Sequence, residues 1–533
     1  MEPSSCVSLL LDGEHLTLED LLGVARISGP AGSRPVALSL QAREQVQRCR
    51  AFVDEVVARG DLVVYGLNTG FGSLAGVTVP TDYSERLMHN LIVSHACGVG
   101  DPLPEEVVRA AMLIRANTLA RGHSGIRLQT LDTLLEMLNR GVLPVIPAKG
   151  SLGASGDLAP LSYIALVLAR SPDGSSEPSG GAVYRGERLS GAEAMRRAGL
   201  ERVVLGAKEG IALNNGTAVS TAIAALALCD AEQALRQAEV ALALTLEALR
   251  AAPDAFDEHI HRLRNHPGQV ASAARLRRLL QGSSLVGSSS RVQDAYSLRC
   301  APQVLGAAGD ALAYVRGVLE RELNAVTDNP LIFLDLEREN KALSGGNFHG
   351  EPVALGADFL SIAIAEVGNI AERRIFRLLT RQLNEGLPPM LVPDSGLNSG
   401  LMIPQYVAAA LVSENKTLAH PDSVDSIPTC EDQEDHVSMS ANAALHARQV
   451  VWNVEHVVAI ELLCAAQAVD LALAGRPGAR LGQGTAAVQR AIRERVPFLE
   501  KDRFLQPDME ALAGMVHSGE ILRVAEKALE SKC

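Results

Sequence analysis

Aromatic residues are scarce in this 533-residue chain: they make up 3% of it, with a single Trp. Its core must therefore rest on Ala, Leu and Val, which suits closely packed helices better than a β sandwich. No run of Lys or Arg stands out against a net charge of −13, so the basic patch of a nucleic-acid binder is missing. The Cys residues at 6, 49, 97, 229, 300, 430, 464 and 533 are scattered, with no C-x-x-C pair. That disfavours a disulfide framework or a zinc site, and reduced cytoplasmic thiols are expected. The N-terminus, MEPSSCVSLLLDGEHLTLED, meets acidic residues before any long apolar run and does not read as a signal peptide. The apolar stretch from Val457 to Ala474 is broken by Glu461 and Asp470, so no membrane span is expected.

What the chain does have is length and helical periodicity. The first 200 residues mix short strand-like runs, such as LVVYGL (62–67), with helices and turns, and 172–190 reads as a loop with a hairpin. Beyond about 210 the texture changes. Segments 216–252, 302–327, 353–384, 403–419 and 439–474 are Ala/Leu-rich, periodic and long. They predict a mainly α fold, a long central helical bundle with a smaller mixed α/β N-terminal region. Three stretches are expected: 1–205, 206–480 and a helical C-terminal segment, 481–533. Several long helices carry small or apolar residues on more than one face, which implies cover on several sides.

The stretch GSLGASGDLAPLSY (150–163) asks for a specific explanation. It fails as a nucleophile elbow, because Asp157 stands where G-x-S-x-G needs its last Gly. A tight turn with Asp157 capping the helix that follows accounts for Asp157 but not for its neighbours. Ala154, Ser155 and Gly156 have another use. If the loop is forced tight, the Gly156 nitrogen can attack the Ala154 carbonyl carbon, unhindered by a Cβ. Loss of two waters then gives a methylidene-imidazolone, an electrophile that the ordinary side chains cannot provide.

Other motifs accompany this loop: YGLNTGFG (65–72), NNGT (214–217), QDAYSLRC (293–300), ELNAVTDNP (322–330), SGGNFHGEPVA (344–354), SENK (413–416) and QEDHVSM (433–439). Together they resemble the aromatic amino acid ammonia-lyase family, the histidine, phenylalanine and tyrosine ammonia-lyases and related aminomutases. The resemblance spans most of the chain and implies an ammonia-lyase/fumarase-like fold. It also implies a methylidene-imidazolone group formed from Ala154, Ser155 and Gly156 as the prosthetic group, with no metal or organic cofactor. By the same resemblance Tyr65 is the catalytic base, with a lowered pKa, and Asn215 hydrogen-bonds the prosthetic group or substrate. Tyr296 lies near the electrophile, Gln293 makes a polar contact, Arg299 clamps the substrate carboxylate, and Phe348 packs beside the group. The family forms cytoplasmic homotetramers whose active sites draw on three chains.

For the substrate, Ser94-His95 and QEDHVSM resemble the histidine enzymes, and Glu414 in SENK is a candidate carboxylate for an imidazole N–H. QDAYSLRC, with Ala295, looks more like the tyrosine enzymes. Asn214 and Tyr163 also depart from the histidine pattern. The expected reaction is elimination of ammonia from L-histidine to give urocanate. A tyrosine or phenylalanine ammonia-lyase, a 2,3-aminomutase and an inactive helical homologue are the alternatives. The helices opening after Gly156, near Gly216 and near Gly350 would favour anions if their N-termini converge. His259, His261 and His266 in EHIHRLRNH read as an exposed helix or loop rather than a metal site. His436 reads as part of a polar network.

Overall fold

A computed structural model describes residues 8–26, 34–175 and 179–530. The long apolar segments fold as helices at Ala218–Ala248, Ala301–Glu322, Glu351–Leu379, Met402–Leu418 and Ser440–Ala474. Strands are short, two to four residues each, and lie in the first half and at 331–343. The hairpin expected within 172–190 forms from Gly181–Tyr184 and Glu187–Ser190, paired antiparallel. The fold is mainly α, as composition predicted.

Three of these helices, Ala218–Ala248, Glu351–Leu379 and Ser440–Ala474, are long and apolar enough to cross a membrane by length and composition. The interruptions at Glu461 and Asp470 do not prevent this. In the protein 83%, 72% and 78% of their most apolar windows are buried, so the apolar surface is spent on internal packing.

Contacts group the chain into two units, each discontinuous in sequence. The first comprises 1–226, 316–357 and 421–445; the second comprises 227–315, 358–420 and 446–533. Four of the five boundaries fall inside long helices, and the fifth follows the helix Met402–Leu418.

In the first unit a small core joins Cys49, Phe52, Val53 and Val56 of the helix Leu40–Arg59 to Val64, Leu67, Ala207 and Ile332. The run 62–67, expected as a strand, is not one. The Asn68 side chain accepts from the Val64 N–H at 2.8 Å and donates to the Leu62 carbonyl at 2.9 Å. A side chain thus satisfies the backbone groups that a ladder would have used. A buried ion pair, Lys208–Asp328 at 2.8 Å, anchors the segment 322–330.

In the second unit Arg374 makes two 2.6 Å bonds to Glu461, both side chains fully buried, and Thr245 donates to the same carboxylate at 3.0 Å. His261, expected to be exposed, is buried there. One ring nitrogen meets the Ala255 carbonyl at 3.0 Å and the other meets Gln269 at 2.9 Å. Its charged neighbours point outward while its own position faces inward.

Candidate active site

The site is built in the first unit around the loop 150–157. Gly156 has φ +68, and a Cβ there would come within 2.3 Å of the Gly216 carbonyl carbon and oxygen. Gly216 in turn has φ +136, and a Cβ on it would lie 2.5 Å from Arg115 Nη1 and from Thr327 Oγ1. Two backbones therefore meet where neither residue can carry a side chain. The Asp157 N–H donates to the Gly216 carbonyl at 2.7 Å and locks this approach.

Asp157 is fully buried and does not cap its own helix, Leu158–Leu168, with its side chain. Its carboxylate instead accepts from Val219 N–H (2.9 Å) and Ser220 N–H (2.7 Å), at the start of the helix Ala218–Ala248. The hydroxyls of Ser220 (2.6 Å) and Ser151 (2.8 Å) donate to its other oxygen. A carboxylate at free helix N–H groups suits the positive end of the helix dipole. Burial nevertheless pushes the Asp157 carboxyl pKa upward, against the lowering effect of these bonds.

Two further helix starts close on the loop. The Gly350 N–H, just before the helix Glu351–Leu379, donates to the Gly153 carbonyl at 3.0 Å, and Ser438 Oγ donates to it at 3.0 Å. The Met439 N–H, just before the helix Ser440–Ala474, donates to the Leu152 carbonyl at 2.7 Å. The convergence of helix N-termini expected from the glycine motifs is present.

Within this frame, hydrogen bonds reach Ser155 from two directions. Asn215 Nδ2 donates to the Ser155 carbonyl at 2.8 Å, and the Asn215 carbonyl is itself held by Arg115 Nη1 at 2.6 Å. Asn215 therefore spends its side chain on Ser155 and does not cap the helix after it. Ser155 Oγ donates to Glu434 Oε1 at 2.7 Å. Neither the Gly156 N–H nor the Ala154 carbonyl is taken up by a hydrogen bond among the described residues.

Ser155 opens onto a cavity of about 1300 Å³, also lined by Tyr65, His95, Asn215, Phe348 and Glu434. Tyr65 is half-buried, and its hydroxyl accepts from the Gly72 N–H at 3.3 Å. Burial pushes its phenol pKa up, only partly offset by that bond. The lowered pKa expected for a catalytic Tyr is not found in the single chain. His95 ends the helix Ser84–His95, and its Nδ1 lies 3.0 Å from Ser94 Oγ. Burial lowers the His95 pKa, which favours the neutral imidazole.

A family model described as "Aromatic amino acid lyase" matches residues 16–494. The chain belongs to the aromatic amino acid lyase family. A histidine ammonia-lyase from Caldanaerobacter subterraneus subsp. tengcongensis is 51% identical over 521 residues, covering 97% of this chain and 98% of that relative. Among solved structures, histidine ammonia-lyase from Trypanosoma cruzi matches with a TM-score of 0.88 at 40% identity, over 98% of this chain and 96% of that one. Tyrosine aminomutase from Streptomyces globisporus matches with a TM-score of 0.89 at 37% identity, covering 98% and 99%.

The lyase brings together Tyr65, His95, Ala154, Ser155, Gly156, Asn215 and Phe348, all within its first unit. Gln293, Tyr296, Arg299 and Glu414 belong to the second unit and do not line this cavity. Tyr296 is 70% exposed, and the Arg299 guanidinium lies 4.8 Å from its ring centroid. Glu414 accepts from Asn453 Nδ2 at 3.0 Å. The carboxylate beside Ser155 is instead Glu434. Glu434 lies in the motif QEDHVSM, whose run of acidic residues is the one local signal for it in the sequence.

Proposed function

We propose that this lyase eliminates ammonia from L-histidine to give trans-urocanate, using a methylidene-imidazolone made from Ala154, Ser155 and Gly156. The observation that carries the reading is the state of that loop. The Ala154 carbonyl and the Gly156 N–H, neither of them hydrogen-bonded among the described residues, flank Ser155 where Gly156 meets Gly216, and Ser155 shares its cavity with Tyr65. The residues present fit the group. Gly156 leaves no Cβ in the way, Asn215 reaches the Ser155 carbonyl, and the buried Asn215 Oδ1 has a lone pair still unpartnered. When formed, the group supplies an electron-poor exocyclic carbon, the electrophile that a poor leaving group such as an amine requires.

The chain's own residues do the remaining work. Tyr65 removes the β-proton through its phenolic oxygen. The Gly72 N–H, donating to that oxygen, stabilises the phenolate as it forms. His95, held neutral by burial, can exchange a hydrogen bond with a ring N–H, and Phe348 supplies an apolar wall. Arg299 offers a planar fork for the substrate carboxylate and Gln293 a polar contact. These two and the exposed Tyr296 are read as contributions to the cavity of a neighbouring copy in a cytoplasmic homotetramer. The exposed apolar side chains Tyr314, Phe359, Ile403, Tyr406 and Trp452 support such an assembly.

The test is spectroscopic. With L-histidine the urocanate ultraviolet band should grow steadily, well ahead of coumarate from L-tyrosine or cinnamate from L-phenylalanine. Faster coumarate or cinnamate formation would assign the ring pocket to a phenyl substrate. A β-amino acid product in place of either would make the protein an aminomutase.

A further inference from the structure

We propose that Glu434 is the proton donor that expels the Ser155 hydroxyl when the loop 154–156 matures. The inference rests on the prosthetic-group reading above and concerns how the chain makes that group. Glu434 Oε1 lies 2.7 Å from Ser155 Oγ. Its other oxygen accepts from Thr429 Oγ1 at 2.9 Å. Thr429 and Glu434 also exchange backbone hydrogen bonds, at 3.0 and 3.3 Å. The carboxyl is thus fixed by a closed turn, 429–434, and aimed at one atom. On the other side of Ser155, the Asn215 amide polarises the carbonyl at 2.8 Å. The same Ser155–Glu434 contact serves either direction, a carboxylate accepting or a carboxylic acid donating.

The chemistry needs both groups. Closure forms the Gly156 N–Ala154 C bond, and the Gly156 amide proton passes to the Ala154 oxygen. That oxygen leaves as the first water with the Ser155 amide proton, and a C=N bond forms between Ala154 C and Ser155 N. The Ser155 Cα–H is then flanked by C=N and C=O and becomes acidic. Its electron pair forms the Cα–Cβ double bond while the Cβ–Oγ pair departs on oxygen. Hydroxide is a poor leaving group, so Oγ takes the Glu434 carboxyl proton and leaves as the second water. Glu434, now a carboxylate, recovers the proton lost from Cα. Two waters are the only by-products, and no oxidant or reductant is needed. Asn215 stabilises the charge that develops on the Ser155 carbonyl oxygen as Cα loses its proton.

The experiment reads mass, independently of turnover. Wild type, Glu434→Gln and Glu434→Asp are purified and digested, and the peptide covering 150–165 is weighed at intervals after synthesis. The wild-type peptide should be two waters lighter than its sequence. Glu434→Gln should keep the Ser155 hydroxyl, with the second water lost on the order of 10²-fold more slowly. Glu434→Asp, which keeps the acid but withdraws it, should fall between. Far-UV circular dichroism establishes that each variant folds. Should Glu434→Gln not fold, Glu434→Asp and Thr429→Val must still mature more slowly than wild type. Loss of two waters from every folded variant at the wild-type rate overturns the assignment of Glu434 alone. A wild-type peptide of full mass overturns this inference and the prosthetic-group reading together.

Discussion

As the proposed base, Tyr65 would set the pH at which this lyase works. Burial raises its phenol pKa above the ordinary value near 10, and among the described residues its oxygen is bonded only through a 3.3 Å contact from the Gly72 N–H. Below its pKa the phenolate fraction falls about tenfold per pH unit. With the pKa displaced upward, the whole range from neutral to mildly alkaline pH lies on that slope. The logarithm of kcat/KM should therefore rise with pH from 7 to 9 with a slope near +1. His95 contributes no opposing limb there, because its lowered pKa leaves it neutral throughout. Tyr65→Phe should reduce kcat by at least about 10²-fold without removing the two-water mass loss at 150–165. Initial rates across pH check this. A rate that is flat from pH 7 to 9 would mean that a different group takes the proton.

The elements differ in what holds them, and this decides how much of each was legible in the sequence. The long helices could be read because their Ala/Leu periodicity runs far beyond any turn signal, and the segment at 439–474 lies within one residue of the helix Ser440–Ala474. The run 62–67 misled because its strand-like composition was overruled by one side chain, Asn68, six residues from the carbonyl it binds. Asp157 was read as a local cap, yet it serves a helix that begins 61 residues later, at Ala218. No periodicity encodes such a contact. Likewise the site residues 65, 95, 154–156, 215 and 348 could be named by motif. Glu434 needed the folded backbone to put it against Ser155, and the two-unit grouping cuts through helices that sequence shows as continuous. The Arg374–Glu461 pair is the element-scale interaction with the clearest consequence. It joins the helices Glu351–Leu379 and Ser440–Ala474, with both side chains fully buried. Arg374→Met leaves the buried Glu461 carboxyl with Thr245 as its remaining side-chain partner among the described residues, and should destabilise the fold by about 3–5 kcal/mol. Replacing both partners, Arg374→Met with Glu461→Leu, should recover most of that loss. Urea unfolding midpoints read both effects, and an unaltered midpoint for the single variant would mean that the pair is not held in the folded protein.

At the scale of the whole molecule, the residues assigned to one reaction are split between the two units of the chain. Tyr65, Ser155 and Asn215 belong to the first, while Gln293, Tyr296 and Arg299 belong to the second. An assembly that shares its sites reconciles the split with a single chemistry. Apolar side chains exposed on the second unit, among them Ile403 and Tyr406, would serve the proposed assembly as a contact surface. Complementation tests this without a structure of the complex. Tyr65→Phe and Arg299→Ala are each made separately, and each should be nearly inactive. Co-expressed at equal levels, they assemble into mixed oligomers. If one site takes its Tyr65 and its Arg299 from different chains, about a quarter of the sites in random mixtures hold both native residues. Activity should then return to about that fraction of wild type, while mixing the purified variants without subunit exchange should restore nothing. If a site instead draws both residues from one chain, every site in the mixture carries one lesion. Co-expression would then remain as inactive as either parent, and the shared-site arrangement would have to be abandoned.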